Sequence, residues 1–396
     1  MAEADVIDAN REIEAQPRVA DYVIDADVHV TPPPTFWAEY LSPQYRDRAP
    51  TVEHGDDADW LVFEGTRKKL NLMQSQAGRR FEEFKNDGKL SDMRVGGHIL
   101  AARLDDMDRD GIDKGVVFGG GPLHTGDMEM YLDSYEAFNR WQSDFCADSN
   151  GRLFGAAFLP TIDVDLSVKM MKAARARGDV AVNMPAFPQS AKHFDKSSTT
   201  LMQGLMGDPN GERQYRDAEF DPIWKTAIDQ NLAITFHLGA RIVRYTDATH
   251  FLPDLAVSKT PMLEMIAPMI FTGLFDRFPD LRVGMIESGS GWMPWAAEYM
   301  DRIWFMQRHW TGCDIKHEPS YYFDRNVYCS FISDKVGVAL RNFPGGKNQM
   351  WSSDYPHSET TFPHSHKVIE DHFEGVSEED KRWILAGCAE KFYGLS

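Results

Sequence analysis

A single (β/α)8 barrel is the fold this sequence predicts, on three observations. Eight short apolar runs recur along the 396 residues, separated by stretches with helical periodicity. Most of these runs are apolar on both faces rather than alternating, as parallel strands covered by helices must be. No GxGxxG follows a strand, which weakens the main rival, a doubly wound open sheet that binds a dinucleotide. The chain is long for one domain, but barrels reach this size by insertion.

The elements follow in order. Residues 1–20 form a polar, acidic N-terminal extension. The first strand, YVIDADVHV (22–30), runs into Thr31 and three prolines that end it. Residues 31–97, rich in proline and charge, break the alternation. A helix over 101–111 closes on Gly111, a suitable left-handed stop, and leads to a strand at 112–119. Helices at 129–149 and 165–178 carry apolar residues at three- and four-residue spacing and precede strands at 152–160 and 179–185. A second excursion, 186–216, contains Gly204, Gly207, Pro209, Asn210 and Gly211. The remaining strands are 231–239, 281–289, 326–331 and 349–356, with helices at 217–230, 260–278, 293–308 and 334–343. A last helix occupies 377–395, where Ser377 and Asp380 have the spacing of a capping pair. One domain thus spans 1–396, with insertions after strands one and four. Both insertions leave strand C-termini, which places them over the barrel mouth as lids or partner-binding loops. The Trp- and Met-rich segments GWMPW and RIWFMQRHW read as helix packing rather than a cofactor site.

Composition excludes several classes. Acidic residues outnumber basic ones by 61 to 42, a formal charge of −19, so nucleic acid and anionic membrane are repelled. Cys146, Cys313, Cys329 and Cys388 are scattered, which argues against a disulfide framework or a thiolate zinc site and fits a reducing cytoplasm. No apolar leader or membrane-length run is present in the sequence. The expected partners are a small-molecule substrate and either further copies of the chain or a paralogous chain, for which the 31–97 excursion offers a contact.

In a barrel, reactive residues gather at strand C-termini. Four ends are rich in them: Asp27-Val28-His29, Phe236-His237-Leu238-Gly239, Glu287-Ser288-Gly289 and Ser353-Asp354-Tyr355-Pro356-His357. Positions 27 and 29 share one strand face, so both side chains can converge on one ion while His237 and Asp354 approach from other strands. Imidazole and carboxylate without thiolate suit zinc, manganese or iron. Singly, each residue reads as an ordinary hydrogen-bonded group or turn former; jointly they read as a metal site. Asp25, on the same alternating face but deeper, reads as a satisfied structural carboxylate. His357 is placed to support the site, contact substrate or add a ligand, and Arg241 to bind a substrate carboxylate or to form an ordinary surface salt bridge. His364, His366 and His372 read as solvent-facing.

The ordered set of the D-x-H start, RLDDMDRDGIDKGVVF, AFNRWQSDFCADSNGRLFGAAFLP, FDPIWKTAIDQNLAITFHLG, FDRFPDLRVGMIESGSGWMPWAAEYMDR and WSSDYPHS resembles the amidohydrolase superfamily. It is most similar to the branch that includes aminocarboxymuconate-semialdehyde decarboxylase. The resemblance implies Asp27, His29, His237 and Asp354 as metal ligands, with Glu287 in the place of a strand-six histidine that assists water or substrate. Two departures stand out: Asp27 replaces a histidine of the usual H-x-H pair, and Glu287 replaces the strand-six histidine. Strand four offers no lysine for a carboxylated bridge. Three carboxylates against two imidazoles exceed the charge of one divalent ion. A second ion with Glu287 as ligand or bridge, a trivalent iron, a cation such as Arg241, or one protonated carboxyl would each correct it; the second ion is the preferred expectation.

Metal-activated hydrolysis of a small, carboxylate-bearing substrate is the leading expectation, with Glu287 or Asp354 moving the proton. Non-oxidative decarboxylation of an unsaturated or aromatic acid follows closely. Oxygen activation at a dinuclear iron or manganese centre, and a metal-binding subunit without catalysis, complete the alternatives.

Overall fold

In the computed structural model, residues 10, 13–191, 207–208, 211–237, 251–259 and 262–395 are described. Eight parallel strands hydrogen-bond in chain order: β1 (Ile24–His29), β5 (Lys114–Phe118), β6 (Leu153–Phe158), β7 (Ala181–Met184), β8 (Ala233–His237), β9 (Val283–Ile286), β10 (Val327–Phe331) and β11 (Gln349–Trp351). Helices lie between them, and the barrel nearly closes. The β1–β11 seam is bridged just past β11, where Asp354 N donates to Asp27 O (3.2 Å) and His29 N to Tyr355 O (2.6 Å). All eight expected strands are present, each as long as its apolar run or shorter.

Residues of β1 and β10 are buried throughout, as strands covered on both faces must be. The helices Leu100–Asp110 and Val164–Arg177 end where the sequence places them, on Gly111 (φ 74°) and Gly178 (φ 100°) in the left-handed region. The expected helix over 260–278 divides into Met262–Phe271 and Leu274–Arg277, because Gly273 adopts φ 71° and interrupts it; positions 260–261 lie outside the described residues.

The first excursion has its own structure, a three-stranded antiparallel sheet of β2 (Thr51–Glu53), β3 (Trp60–Phe63) and β4 (Thr66–Lys69) followed by short turns. Its later part lies against the loop after β11, where Gln76 N and Ala77 N both donate to Pro356 O (2.9 and 3.1 Å). Of the second excursion, 192–206 and 209–210 lie outside the described residues.

Three sequence expectations change. The register of β1 slips between Asp25 and Val28, a bulge that moves Asp25 off the face of Asp27. Asp25 instead lines a small space with Val28 and with Arg103, Asp106 and Asp110 of the helix outside the barrel. His366 and the His372 side chain are covered, not solvent-facing: His366 Nδ1 accepts from Val19 N (2.8 Å) and its Nε2 lies 3.0 Å from Gly111 O, while His372 Nδ1 lies 2.8 Å from Val368 O and its Nε2 3.1 Å from Ser333 Oγ. In the helix Trp292–Thr311 the expected packing holds for Met293, Pro294, Ala296, Ala297 and Met300, but no later residue of it is buried.

Candidate metal centre

Strand ends bring the chemistry together. Asp27 and His29 point from β1, His237 ends β8, Glu287 follows β9, and Asp354 and His357 follow β11. Glu287 and Asp354 stand just beyond their strands in the left-handed region (φ 56° and 57°), a conformation costly for side chains other than glycine. Each backbone is tied through its N–H to a neighbouring strand. Glu287 N donates to Ser330 Oγ (2.8 Å), and Asp354 N to Asp27 O (3.2 Å).

His29 Nε2 lies 3.2 Å from Asp27 Oδ1 and 3.2 Å from Asp354 Oδ1. His237 Nε2 lies 3.2 Å from Asp27 Oδ1 and 3.8 Å from Glu287 Oε2. His357 Nδ1 sits 2.9 Å from Asp354 Oδ1, and its ring stacks on His29 with centroids 3.8 Å apart. The His237 ring meets His29 edge-on at 4.9 Å. One ligand atom from each of Asp27, His29, His237 and Glu287 falls within a 4.8 Å cluster, and a second such set is His29, Glu287, Asp354 and His357.

The site fits a cation. Asp27 Oδ2, His29 Nε2 and Asp354 Oδ1 are buried and, among the described residues, have no hydrogen-bond partner. His29 Nε2 is near two carboxylates yet aligned for a hydrogen bond to neither. Unpaired polar atoms of this kind are expensive to bury, and a divalent ion among them removes the cost. Imidazole nitrogen and carboxylate oxygen are also the donors that zinc, manganese and iron accept.

The carboxyl groups divide in their electrostatics. Burial opposes ionisation of Asp27, but His237 and His29 hold it well below the usual carboxylate range. Asp354 is likewise opposed by burial and brought down to about 2, by His357 and His29. Glu287 moves the other way: burial first, then Asp354 and Asp27, push it well above the usual carboxylate range, which favours its protonated form. His29 resists burial and is raised to about 10 by Asp27 and Asp354, whereas burial and the neighbouring His29 keep the His357 imidazole neutral.

One contributor was absent from the sequence reading. Lys259 Nζ lies 3.8 Å from Glu287 Oε1 and 2.7 Å from Glu359 Oε2, supplying the positive charge that the carboxylate excess called for. Arg241, the cation named from sequence, lies outside the described residues. No local pattern marks Lys259, because only tertiary folding brings it over β9. Outside the cluster, Arg103 anchors the ligand strand by donating to the carbonyls of Gly96 (2.8 Å) and His29.

The chain matches the amidohydrolase family model over residues 24–395. Its fold is similar to an amidohydrolase from Mycobacterium avium subsp. paratuberculosis K-10, at 19% identity and TM-score 0.70, over 96% of this chain and 99% of that one. It is also similar to 5-carboxyvanillate decarboxylase from Sphingomonas paucimobilis, at 17% identity and TM-score 0.63, covering 95% and 100% of the two chains. A third similar structure is a dihydroxybenzoic acid decarboxylase from Polaromonas sp. JS666, solved with manganese and 2-nitroresorcinol. It has 15% identity and TM-score 0.60, with 97% and 98% covered. Among the described residues no helix is long and apolar enough to cross a membrane.

Proposed function

The chain belongs to the amidohydrolase family, and from that premise we propose that it is a metal-dependent decarboxylase of a small aromatic or unsaturated carboxylic acid. One observation carries this reading: a ligand set ready for a cation stands beside the buried carboxyl of Glu287, which burial and two neighbouring carboxylates push toward its acid form. Such an acid suits protonation of carbon better than activation of water, which needs a base. The decarboxylases of similar fold support it.

Asp27, His29, His237 and Asp354 would hold the ion. When bound, it supplies fixed positive charge to anchor the substrate's carboxylate and a neighbouring oxygen. Glu287 delivers its proton to the carbon bearing the carboxylate. The bond from that carbon to the carboxylate then breaks, its electron pair restores the unsaturated system, and CO2 leaves. Glu287, now a carboxylate, is steadied by Lys259 until water returns a proton. The neutral His357, stacked on His29 and 2.9 Å from Asp354 Oδ1, packs beside both ligands and would flank the substrate.

Products separate this from the alternatives. In isotopic water (D2O and 18O-labelled), manganese-loaded protein given hydroxybenzoates and unsaturated acids should release CO2, with one deuterium at the vacated carbon. Incorporation of solvent oxygen or uptake of O2, without CO2, would overturn the proposal. Glu287→Gln should retain metal and lose about 10²–10⁴-fold in turnover. The second cluster of His29, Glu287, Asp354 and His357 favours one other reading, a second ion with Glu287 as ligand or bridge. Full activity with one equivalent of metal supports the single-ion centre; a requirement for two supports the pair.

A further inference from the structure

Glu287 reaches the metal centre without a side-chain tether of its own. Among the described residues its carboxyl accepts no hydrogen bond, and His237 Nε2 and Lys259 Nζ each stand 3.8 Å off. Its place is therefore dictated by its backbone, which adopts φ 56° just past β9. A residue other than glycine persists in that region only where its surroundings over-determine it.

Those surroundings come from β10 and the loop after it, a strand that supplies no ligand to the metal centre. Ser330, buried at the end of β10, receives Glu287 N at its Oγ (2.8 Å) and Ser288 N at its carbonyl (3.2 Å). Asp334, four positions further on, holds the turn that follows Glu287. Its Oδ2 accepts from Ser290 N (2.7 Å) and Gly291 N (2.8 Å), while its Oδ1 accepts from Gly337 N (2.8 Å). One carboxylate thus ties together backbone N–H groups of two loops, with bonds roughly twice as strong as those between neutral groups. The joint is close enough to exclude side chains. A Cβ on Gly337 would meet Ser290 Oγ at 1.8 Å and Gly291 N at 2.9 Å, and one on Gly289 (φ 71°) would come within 3.3 Å of Asp334 Oδ2. Capping the short helix Lys335–Ala339 through Gly337 needs only Oδ1. The other oxygen is committed to the turn of Glu287. Among the described residues Asp334 bonds to none of the metal-site side chains.

We propose that Asp334 is a positioning residue for the reaction: through the N–H groups of Ser290 and Gly291 it fixes the Glu287 carboxyl where a proton can be delivered. This rests on the reading of Glu287 as the acid. Misplacing a reacting group by about 1 Å costs about 10²-fold in rate, even when the mutated residue is remote. Asp334→Ser separates the two roles, because serine still caps Gly337 but its hydroxyl is too short to hold Ser290 and Gly291 as well. It should lower kcat about 10²-fold with KM and metal per chain unchanged. Asp334→Asn keeps an oxygen for the turn and should stay close to the wild type. In a Glu287→Gln background Asp334→Ser should add little further loss, since nothing remains to be positioned. A wild-type kcat in Asp334→Ser, or a full second loss in the Gln background, would overturn the proposal. Two readouts need no turnover and hold even where decarboxylation is not found. Amide exchange at Ser290 and Gly291 should quicken in Asp334→Ser, and Glu287 should leave positive φ in the crystal structure of that variant. If neither changes, the positioning role is wrong whatever reaction the site performs.

Discussion

Buried acids crowd both sides of β1, and the two sides dispose of their charge differently. Behind the strand, Asp106 receives Arg94 Nε (2.9 Å) and Tyr355 OH (2.5 Å), and Asp110 receives Ser365 N (3.1 Å) and Oγ (2.5 Å). Asp25 Oδ1 accepts from Ser353 N (2.9 Å) and Asp27 N (3.3 Å). Burial shifts the balance further toward the neutral acids, raising Asp25 to about 7 and Asp110 to about 8. In the mouth, Asp27 and Asp354 are instead driven further toward ionisation by histidines, and lone pairs are left over. Buried acids and unpaired oxygens occur in both regions, Asp25 Oδ2 among them; carboxylates held ionised by histidines belong to the one that fits a metal.

This contrast can be broken at its strongest point first. Asp354→Ala or Asp27→Ala should leave the fold intact, abolish stoichiometric metal and cut kcat/KM by about 10³-fold or more, read by elemental analysis beside kinetics. Behind the strand, Arg94→Ala should act on stability alone. Removing one partner of a buried pair costs about 3–5 kcal/mol, measurable by denaturant titration, with metal per folded chain unchanged. Lys259→Met tests the cation over Glu287 and should slow turnover by about tenfold while metal content holds. A further effect concerns pH. Native Asp110 keeps its proton up to about pH 8, whereas the unfolded chain releases it near the ordinary aspartate value of 3.8. This group therefore favours folding most below that lower value, and the benefit falls as pH rises through the window. Asp110→Asn keeps an acceptor for Ser365 without ionising, so its Tm should exceed that of the wild type at pH 9, and the advantage should shrink toward pH 4.

The barrel was legible because strands covered on both faces leave continuous apolar runs, as in LRVGMIESG. The same runs overstated strand length. Glu287 and Asp354 look like the ends of 281–289 and 349–356, yet both have left the strand for positive φ. The cluster itself was readable from four strand ends, because side-chain alternation and chain order already place them on one rim. Asp25 was misplaced, since a bulge reverses the parity on which that reading depends. His366 was misread from its acidic surroundings in sequence, although its partners, Val19 and Gly111, come from distant segments.

The left-handed backbone at Glu287 and Asp354 bears on how this enzyme responds to selection. Glycine at either position would release about 1–3 kcal/mol of conformational strain while deleting the acid or the ligand. A screen for heat resistance alone would therefore enrich inactive chains at those two codons. Thermostable variants that keep turnover must find their gains elsewhere in the barrel.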